Sequence, residues 1–263
     1  MPSWDSDLAL AHQLADDADS LTSARFLAQD LKVETKPDLT PVSDADRGVE
    51  EAARARLAVE RPGDDVLGEE FGVTVGTGSG RRWILDPVDG TKNFVRGVPV
   101  WATLVALVED GEVVVGVVSA PALGRRWWAS TGGGAWSGPR LSGARRLQVS
   151  AVNDLADASL SYSDLDGWAP HGGSAAFEAV RRRVWRTRAY GDFWSHVLVA
   201  EGAVDLAVEP ELSAWDIAAL VPVVREAGGR ITGFDGAPAL DAGCAVTSNG
   251  LLHEQFLTAL ADR

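Results

Sequence analysis

Cysteine is almost missing from this chain: Cys244 is the only one in 263 residues. That excludes an internal disulfide and a thiolate zinc site, both of which need more sulfurs. The usage suits a reducing cytoplasm, which is the expected location. Basic residues are also scarce, 24 against 38 acidic ones, for a formal net charge of −14. A nucleic-acid binder presents a basic surface. Here Arg81-Arg82, Arg125-Arg126 and Arg181-Arg182-Arg183 are separate short clusters, so neither DNA nor RNA is expected as a partner. No stretch approaches the roughly 18 apolar residues of a membrane-crossing helix. Met1 to Asp5 carry no basic, apolar leader, and no membrane role is expected. The four histidines, His12, His171, His196 and His253, lie far apart and form no local ligand motif.

What is present is an ordinary globular mixture, 46% hydrophobic and 24% charged, so extensive disorder is not expected. Residues 5–29 carry Leu8, Ala11, Leu14, Ala15, Ala18 and Leu21 at helical spacing. Lys36 to Pro41, with two prolines, reads as extended or turn. A second helix is predicted from Ser43 or Asp44 to about Val59, burying Val49, Ala53 and Leu57. Asp64 to Glu70 reads as a short strand ending in two acids, and Arg82 to Asp86 as a strand stopped by Pro87. Two apolar runs around Asp110-Gly111 predict a hairpin, and further strands are expected near 126–130 and 146–150. After residue 150, strands near 159–162, 184–188, 204–208 and 244–248 alternate with helices near 174–183, 192–202, 214–227 and 250–261. The division is therefore an α+β half, 1–150, and an α/β half, 151–263.

The strongest local signal is Trp83-Ile84-Leu85-Asp86-Pro87-Val88-Asp89-Gly90-Thr91-Lys92-Asn93-Phe94. A buried strand delivers Asp86, and a tight loop brings Asp89 back toward it. Gly90 permits close backbone approach. A short helix opening at Thr91 offers free N–H groups to an anion. Hard oxygen ligands beside an anion-binding turn suit Mg²⁺ phosphate chemistry. Taken alone, the segment equally fits an Asp-rich turn with Asp89 as a helix cap. Likewise Asp46 fits a first-turn acid, Glu69 and Glu70 a charged strand end, and Ser213 to Asp216 a capping box.

The segment resembles the signature of the inositol monophosphatase family, Mg²⁺-dependent phosphatases, and other family elements follow in order. Lys36-Pro37-Asp38-Leu39-Thr40-Pro41-Val42-Ser43-Asp44-Ala45-Asp46 is similar to its early loop. Gly68-Glu69-Glu70-Phe71 resembles its acidic strand end. Ala214-Trp215-Asp216-Ile217-Ala218-Ala219, followed by Glu226-Ala227-Gly228-Gly229, resembles its late element. The resemblance implies a layered α-β-α-β-α sandwich, a phosphate ester as substrate and a homodimer. It implies two to three Mg²⁺ ions. Glu69, Asp86, Asp89 and the Val88 carbonyl would hold the first, and Asp86, Asp89 and Asp216 the second. Asp46 with Glu69 would position a third and, with Thr91, orient the attacking water. Gly90 and Thr91 N–H groups would receive phosphate.

Substrate choice is expected in Arg188-Ala189-Tyr190-Gly191-Asp192-Phe193-Trp194 and at Glu209, which correspond to family positions near the leaving group. Two acids there suit a cation, and Arg188 is expected either to fix them or to meet the substrate. Lys92 to Thr103 and Ser119 to Trp128 resemble the family's bacterial histidinol-phosphatase branch, which implies an amine- and imidazole-bearing ester. Inositol phosphates, other small phosphate esters and a catalytically silent regulator are the alternatives. Ten tryptophans accompany only two tyrosines. Trp101 or Trp194 is a candidate to stack on an imidazole, and one of Trp127-Trp128 a candidate for a subunit interface.

Overall fold

The computed structural model describes residues 4–37, 39–139, 143–165 and 167–261. Asp38 of the early loop, Met1 to Ser3 and the two last positions lie outside them. Helix α1 (Asp5–Arg25) buries Leu10, Leu14, Ala15 and Ala18. Leu21, expected on that face, is exposed; Thr22 turns inward instead and donates to Ala18 O at 2.7 Å. The proline-rich stretch is a small antiparallel pair, β1 (Val33–Thr35) with β2 (Pro41–Ser43). Helix α2 (Asp44–Glu60) begins at a capping box made by Ser43 and Asp46 and buries Val49, Ala53 and Leu57 as its spacing predicts.

An eight-stranded sheet follows: β3 (Asp65–Gly68), β4 (Gly72–Thr74), β5 (Arg81–Asp89), then, after helix α3 (Thr91–Arg96), β6 (Ala102–Glu109), β7 (Glu112–Ala120), β8 (Arg125–Ser130), β9 (Gly134–Gly138) and β10 (Arg145–Arg146). Its order is β10-β9-β8-β7-β6-β5-β3-β4. The β6–β7 turn uses Asp110 at φ 51° and Gly111 at φ 81°. Two successive positive φ values twist the chain in the sense that paired strands require. The strand expected over 146–150 is only the short edge piece β10. Alternation along β6 sends Ala102, Leu104 and Ala106 to one face and Val105 and Leu107 to the other.

The second sheet is built from β11 (Ser159–Tyr162), α4 (Ser174–Arg181), β12 (Arg186–Arg188), α5 (Asp192–Ala200), β13 (Leu206–Glu209), α6 (Ala214–Ile217), α7 (Leu220–Glu226), β14 (Arg230–Thr232), β15 (Ala245–Ser248) and α8 (His253–Ala261). Strand order is β12-β11-β13-β15-β14, with β11 parallel to β12 and β13 and the other pairs antiparallel. The single helix expected over 214–227 is two, because Pro222 has no N–H for the Ala218 carbonyl one turn back. Helices α1 and α2 cover one face of the large sheet, while α5 and α7 lie between the sheets and α4 and α8 cover the far side. The result is the five-layer α-β-α-β-α sandwich. Trp127 and Trp128 point to opposite faces, yet both are buried, under Phe193 and His12 respectively. Neither is free to meet another subunit. Among the described residues, no helix is long and apolar enough to cross a membrane.

Candidate active site

Asp86 and Asp89 are three positions apart, a spacing that sends regular strand side chains to opposite faces. The pairing with β6 shows how they meet. Asp86 lies opposite Leu104, but Asp89 lies opposite Ala102. Three steps along β5 match two along β6, a one-residue bulge that turns the strand. Pro87, which has no N–H for the ladder, sits at this point, and its carbonyl accepts from Thr103 Oγ1 at 2.7 Å. The strand therefore bulges at Pro87 instead of stopping there, and β5 continues to Asp89. Asp86 Oδ1 accepts from Val88 N at 3.0 Å, and Asp89 Oδ2 from Phe193 N at 2.8 Å. Gly90 then takes φ 83°; a Cβ there would lie 3.0 Å from Val100 O and 3.2 Å from Asp192 Oδ2.

Asp216 arrives on the first turn of α6. Its Oδ2 accepts from Ser213 N at 2.7 Å. Capping occupies one oxygen only, and ligand atoms of Asp86, Asp89 and Asp216 still fall within 4.8 Å of one another. Asp46 is fully buried. Its Oδ2 accepts from Ser43 N and Oγ at 2.8 and 2.5 Å, while its Oδ1 is 3.3 Å from Thr91 Oγ1. Thr91 Oγ1 also lies 2.9 Å from Val88 O. Glu69, in the β3–β4 turn, lines the same cleft but stands outside the three-carboxylate group. It pairs with Lys36 Nζ at 2.7 Å, and Glu70 does so at 2.6 Å. Sequence reasoning had assigned Lys36 no role beyond its place in the loop motif.

Burial pushes the Asp86 and Asp89 carboxyls well above their ordinary range. The next largest cause is Glu69 for Asp86 and Asp192 for Asp89. Burial lifts Asp216 to about 6, with Glu69 adding to the shift. Among the described residues, none of these three carboxylates pairs with a lysine or arginine. Two buried acids and a half-buried third, with only hard oxygen donors and no counter-charge among the described residues, suit a divalent cation such as Mg²⁺. That donor set fits such an ion.

The cleft encloses about 560 Å³ between the two sheets. Its second wall carries Asp192 and Glu209. Asp192 opens α5 at φ 49°, a strained conformation for a residue with a Cβ. Gly191, not Asp192, holds the cap position. Asp192 Oδ2 instead accepts from Asn93 Nδ2 at 3.2 Å, joining the two halves of the chain. Glu209 is 2% exposed. Ser163 Oγ donates to its Oε2, while Oε1 has no partner among the described residues. Burial raises its carboxyl to about 8.

Arg188 takes neither of its expected places. It is exposed, its guanidinium donates to Thr187 O at 2.7 Å, and it is absent from the cleft wall. The parallel pairing of β12 with β11 leaves this residue on an open sheet edge. Trp101 is buried against Phe94 and Phe26, and Trp194 packs on Tyr190 outside the cleft. The aromatic residues that do line it are Tyr190, Phe193 and Trp215. His196 also borders the cleft; it contacts Thr247 Oγ1 at 2.7 Å, and burial lowers its pKa to about 4. Neither Ser163 nor His196 carried a motif that could have singled it out.

The model of the inositol monophosphatase family matches residues 3–263. The chain belongs to the inositol monophosphatase family. Within the family, it is 58% identical to a histidinol-phosphatase of Streptomyces coelicolor, with all of both chains covered. It is 61% identical to a histidinol-phosphatase of Mycobacterium tuberculosis, with 97% of each covered. Its backbone resembles a solved inositol monophosphatase from Zymomonas mobilis with a TM-score of 0.86 at 32% identity, covering 99% of this chain and all of that one. Family membership and the acidic cleft together mark the chain as a metal-binding phosphatase fold.

Proposed function

We propose that this chain is a Mg²⁺-dependent phosphomonoesterase that hydrolyses L-histidinol phosphate to L-histidinol and phosphate, a step in histidine biosynthesis. One observation carries the reading: extensive identity with histidinol-phosphatases, in a chain whose Asp86, Asp89 and Asp216 converge without a counter-charge. Glu69, Asp86, Asp89, the Val88 carbonyl and Asp216 would hold two Mg²⁺ ions, and Asp46 with Glu69 would help to place a third. Bound Mg²⁺ supplies positive charge that offsets the acids, attracts the phosphate dianion and makes a nearby water more acidic.

The chain's own groups then orient the reaction. Thr91 Oγ1 sits between Val88 O and Asp46 Oδ1, so it can accept a hydrogen bond from the attacking water while its own proton passes to Asp46 Oδ1, which takes up the proton that the water loses. Asp46 is itself held by both Ser43 donors and cannot swing away. Gly90 and Thr91 N–H groups donate to phosphate oxygens, and the missing Cβ at 90 lets this turn lie against Val100 O and Asp192 Oδ2. Water attacks phosphorus in line with the departing alkoxide. Across the cleft, the unpartnered Glu209 Oε1 and Asp192 read the amine of the leaving group, and Tyr190 or Trp215 gives its imidazole an aromatic face. The enzyme works as a cytoplasmic homodimer, which analytical ultracentrifugation checks.

A panel of phosphate esters assayed with Mg²⁺ tests the substrate. Histidinol phosphate is expected to have the highest kcat/KM; faster turnover of inositol 1-phosphate would overturn the assignment. Thermal melting tests the metal. At a free Mg²⁺ concentration of about 100 times its dissociation constant, a site adds about 3 kcal/mol. For a chain this long that raises Tm by roughly 5–10 °C. The sign with pH follows from the raised carboxyls. Without metal, their folded pKa values exceed the unfolded ones, so stability is lost as pH rises through them. Mg²⁺ reverses that loss, and its effect should be larger at about pH 8 than at about pH 5. No shift at the higher pH would exclude this metal set.

A further inference from the structure

Glu50 is not part of the cleft wall, yet it is completely buried on α2. Its Oε2 accepts the Glu70 N–H at 2.8 Å and its Oε1 the Phe71 N–H at 3.2 Å. Arg54, one helical turn later, donates Nε to Oε1 of the same carboxylate at 2.8 Å. It also holds Gly72 O and Thr74 Oγ1. The turn carrying Glu69 and Glu70 is thereby fastened to α2, the helix whose first turn carries Asp46. Gly68 makes this possible, because a Cβ at that position would overlap the Glu50 carboxylate. A buried carboxylate is costly unless it is paired and hydrogen-bonded. Here the pairing is spent on two backbone amides immediately after Glu69. Lys36 holds the Glu69 and Glu70 carboxylates, whereas Glu50 holds the backbone of the turn, next to β4, an edge strand with exposed side chains.

We propose that Glu50 is a positioning residue for Glu69. It holds the β3–β4 turn so that the Glu69 carboxylate stays at the cleft, in fixed relation to Asp46. This rests on the reading of Glu69 as a metal ligand. Groups standing behind a ligand commonly set metal affinity by about 10–100-fold.

The experiment compares Glu50→Gln, Glu69→Gln, Gly68→Ala and the double variant Gly68→Ala with Glu50→Ala. Mg²⁺ binding is read by calorimetry, and folding by thermal melting in EDTA. Glu50→Gln keeps the side-chain shape but puts a donor where an acceptor is needed. It should bind Mg²⁺ about 10-fold or more weakly while still melting cooperatively. In the double variant the new methyl occupies the space of the lost carboxylate. Its melting should recover relative to Gly68→Ala, but its Mg²⁺ affinity should stay low. This variant carries the test if Glu50→Gln does not fold. Parent-like Mg²⁺ affinity in Glu50→Gln or in the double variant, with Glu69→Gln impaired, overturns the positioning role alone. Parent-like affinity in Glu69→Gln overturns the metal reading beneath it.

Discussion

Asp86→Asn should cut phosphate release from histidinol phosphate by about 100- to 1000-fold, because weakened Mg²⁺ binding takes away positive charge that would face the developing oxyanion. The same variant should fold well. Asn keeps an Oδ1 to accept the Val88 N–H, so the local turn survives. Burial and then Glu69 hold the Asp86 carboxyl well above its ordinary range. A carboxyl whose folded pKa exceeds its unfolded value contributes stability at low pH and loses it as pH rises through the folded value. Asparagine has no such loss. In EDTA at about pH 8, the variant should therefore melt no lower than the parent. An active variant would remove Asp86 from the metal set; an inactive one with a much lower Tm would make its role structural.

Glu209→Gln should separate the two ends of the substrate. Glutamine can still accept from Ser163, so the pocket wall is retained. What disappears is the charge opposite an ammonium group, and a hydrogen bond to a charged group is worth about 1.5–3 kcal/mol. KM for histidinol phosphate should rise about 10- to 100-fold, with kcat nearly unchanged and inositol 1-phosphate little affected. pH supplies a second readout. With its carboxyl near about 8 in the free protein, Glu209 must lose a proton when it meets the ammonium group. The KM of the parent should fall as pH rises toward that value, and the Glu209→Gln variant should lack this dependence. Equal KM increases for both esters would mean that Glu209 shapes the cleft without reading the amine.

The acids were legible in the sequence, but their arrangement was not. Asp86, Asp89 and Asp216 could be picked out from their strand end and helix start, with each also fitting a cap or turn. The structure shows that the two readings coexist at Asp216, where one oxygen caps α6 and the carboxylate still joins the cluster. Pro87 misled in a useful way. A proline without a ladder N–H predicts a stop, whereas the sheet absorbs it as a bulge, and that bulge brings Asp86 and Asp89 to one side. Arg188 failed for a different reason. Ala189 to Phe193, which follow it, line the cleft, but Arg188 itself is an exposed residue at the end of the edge strand β12 and lies outside the cleft wall. Trp101 shows the same limit, since nothing in composition distinguishes a stacking tryptophan from a core one.

By itself, the sequence determined what short-range chemistry controls. Helical spacing placed Val49, Ala53 and Leu57, and Asp110-Gly111 set the hairpin. A single cysteine left no set of sulfurs for a thiolate zinc site. The tertiary structure alone decided which charges meet. Lys36 between Glu69 and Glu70, Glu50 behind the Glu69 turn and the unpartnered Glu209 Oε1 all depend on segments brought together from distant parts of the chain. Their energetics come from burial, which raises the cost of an unpaired carboxylate only once water is gone. A sequence records the carboxylates, but the folded sheets decide which remain without a counter-charge.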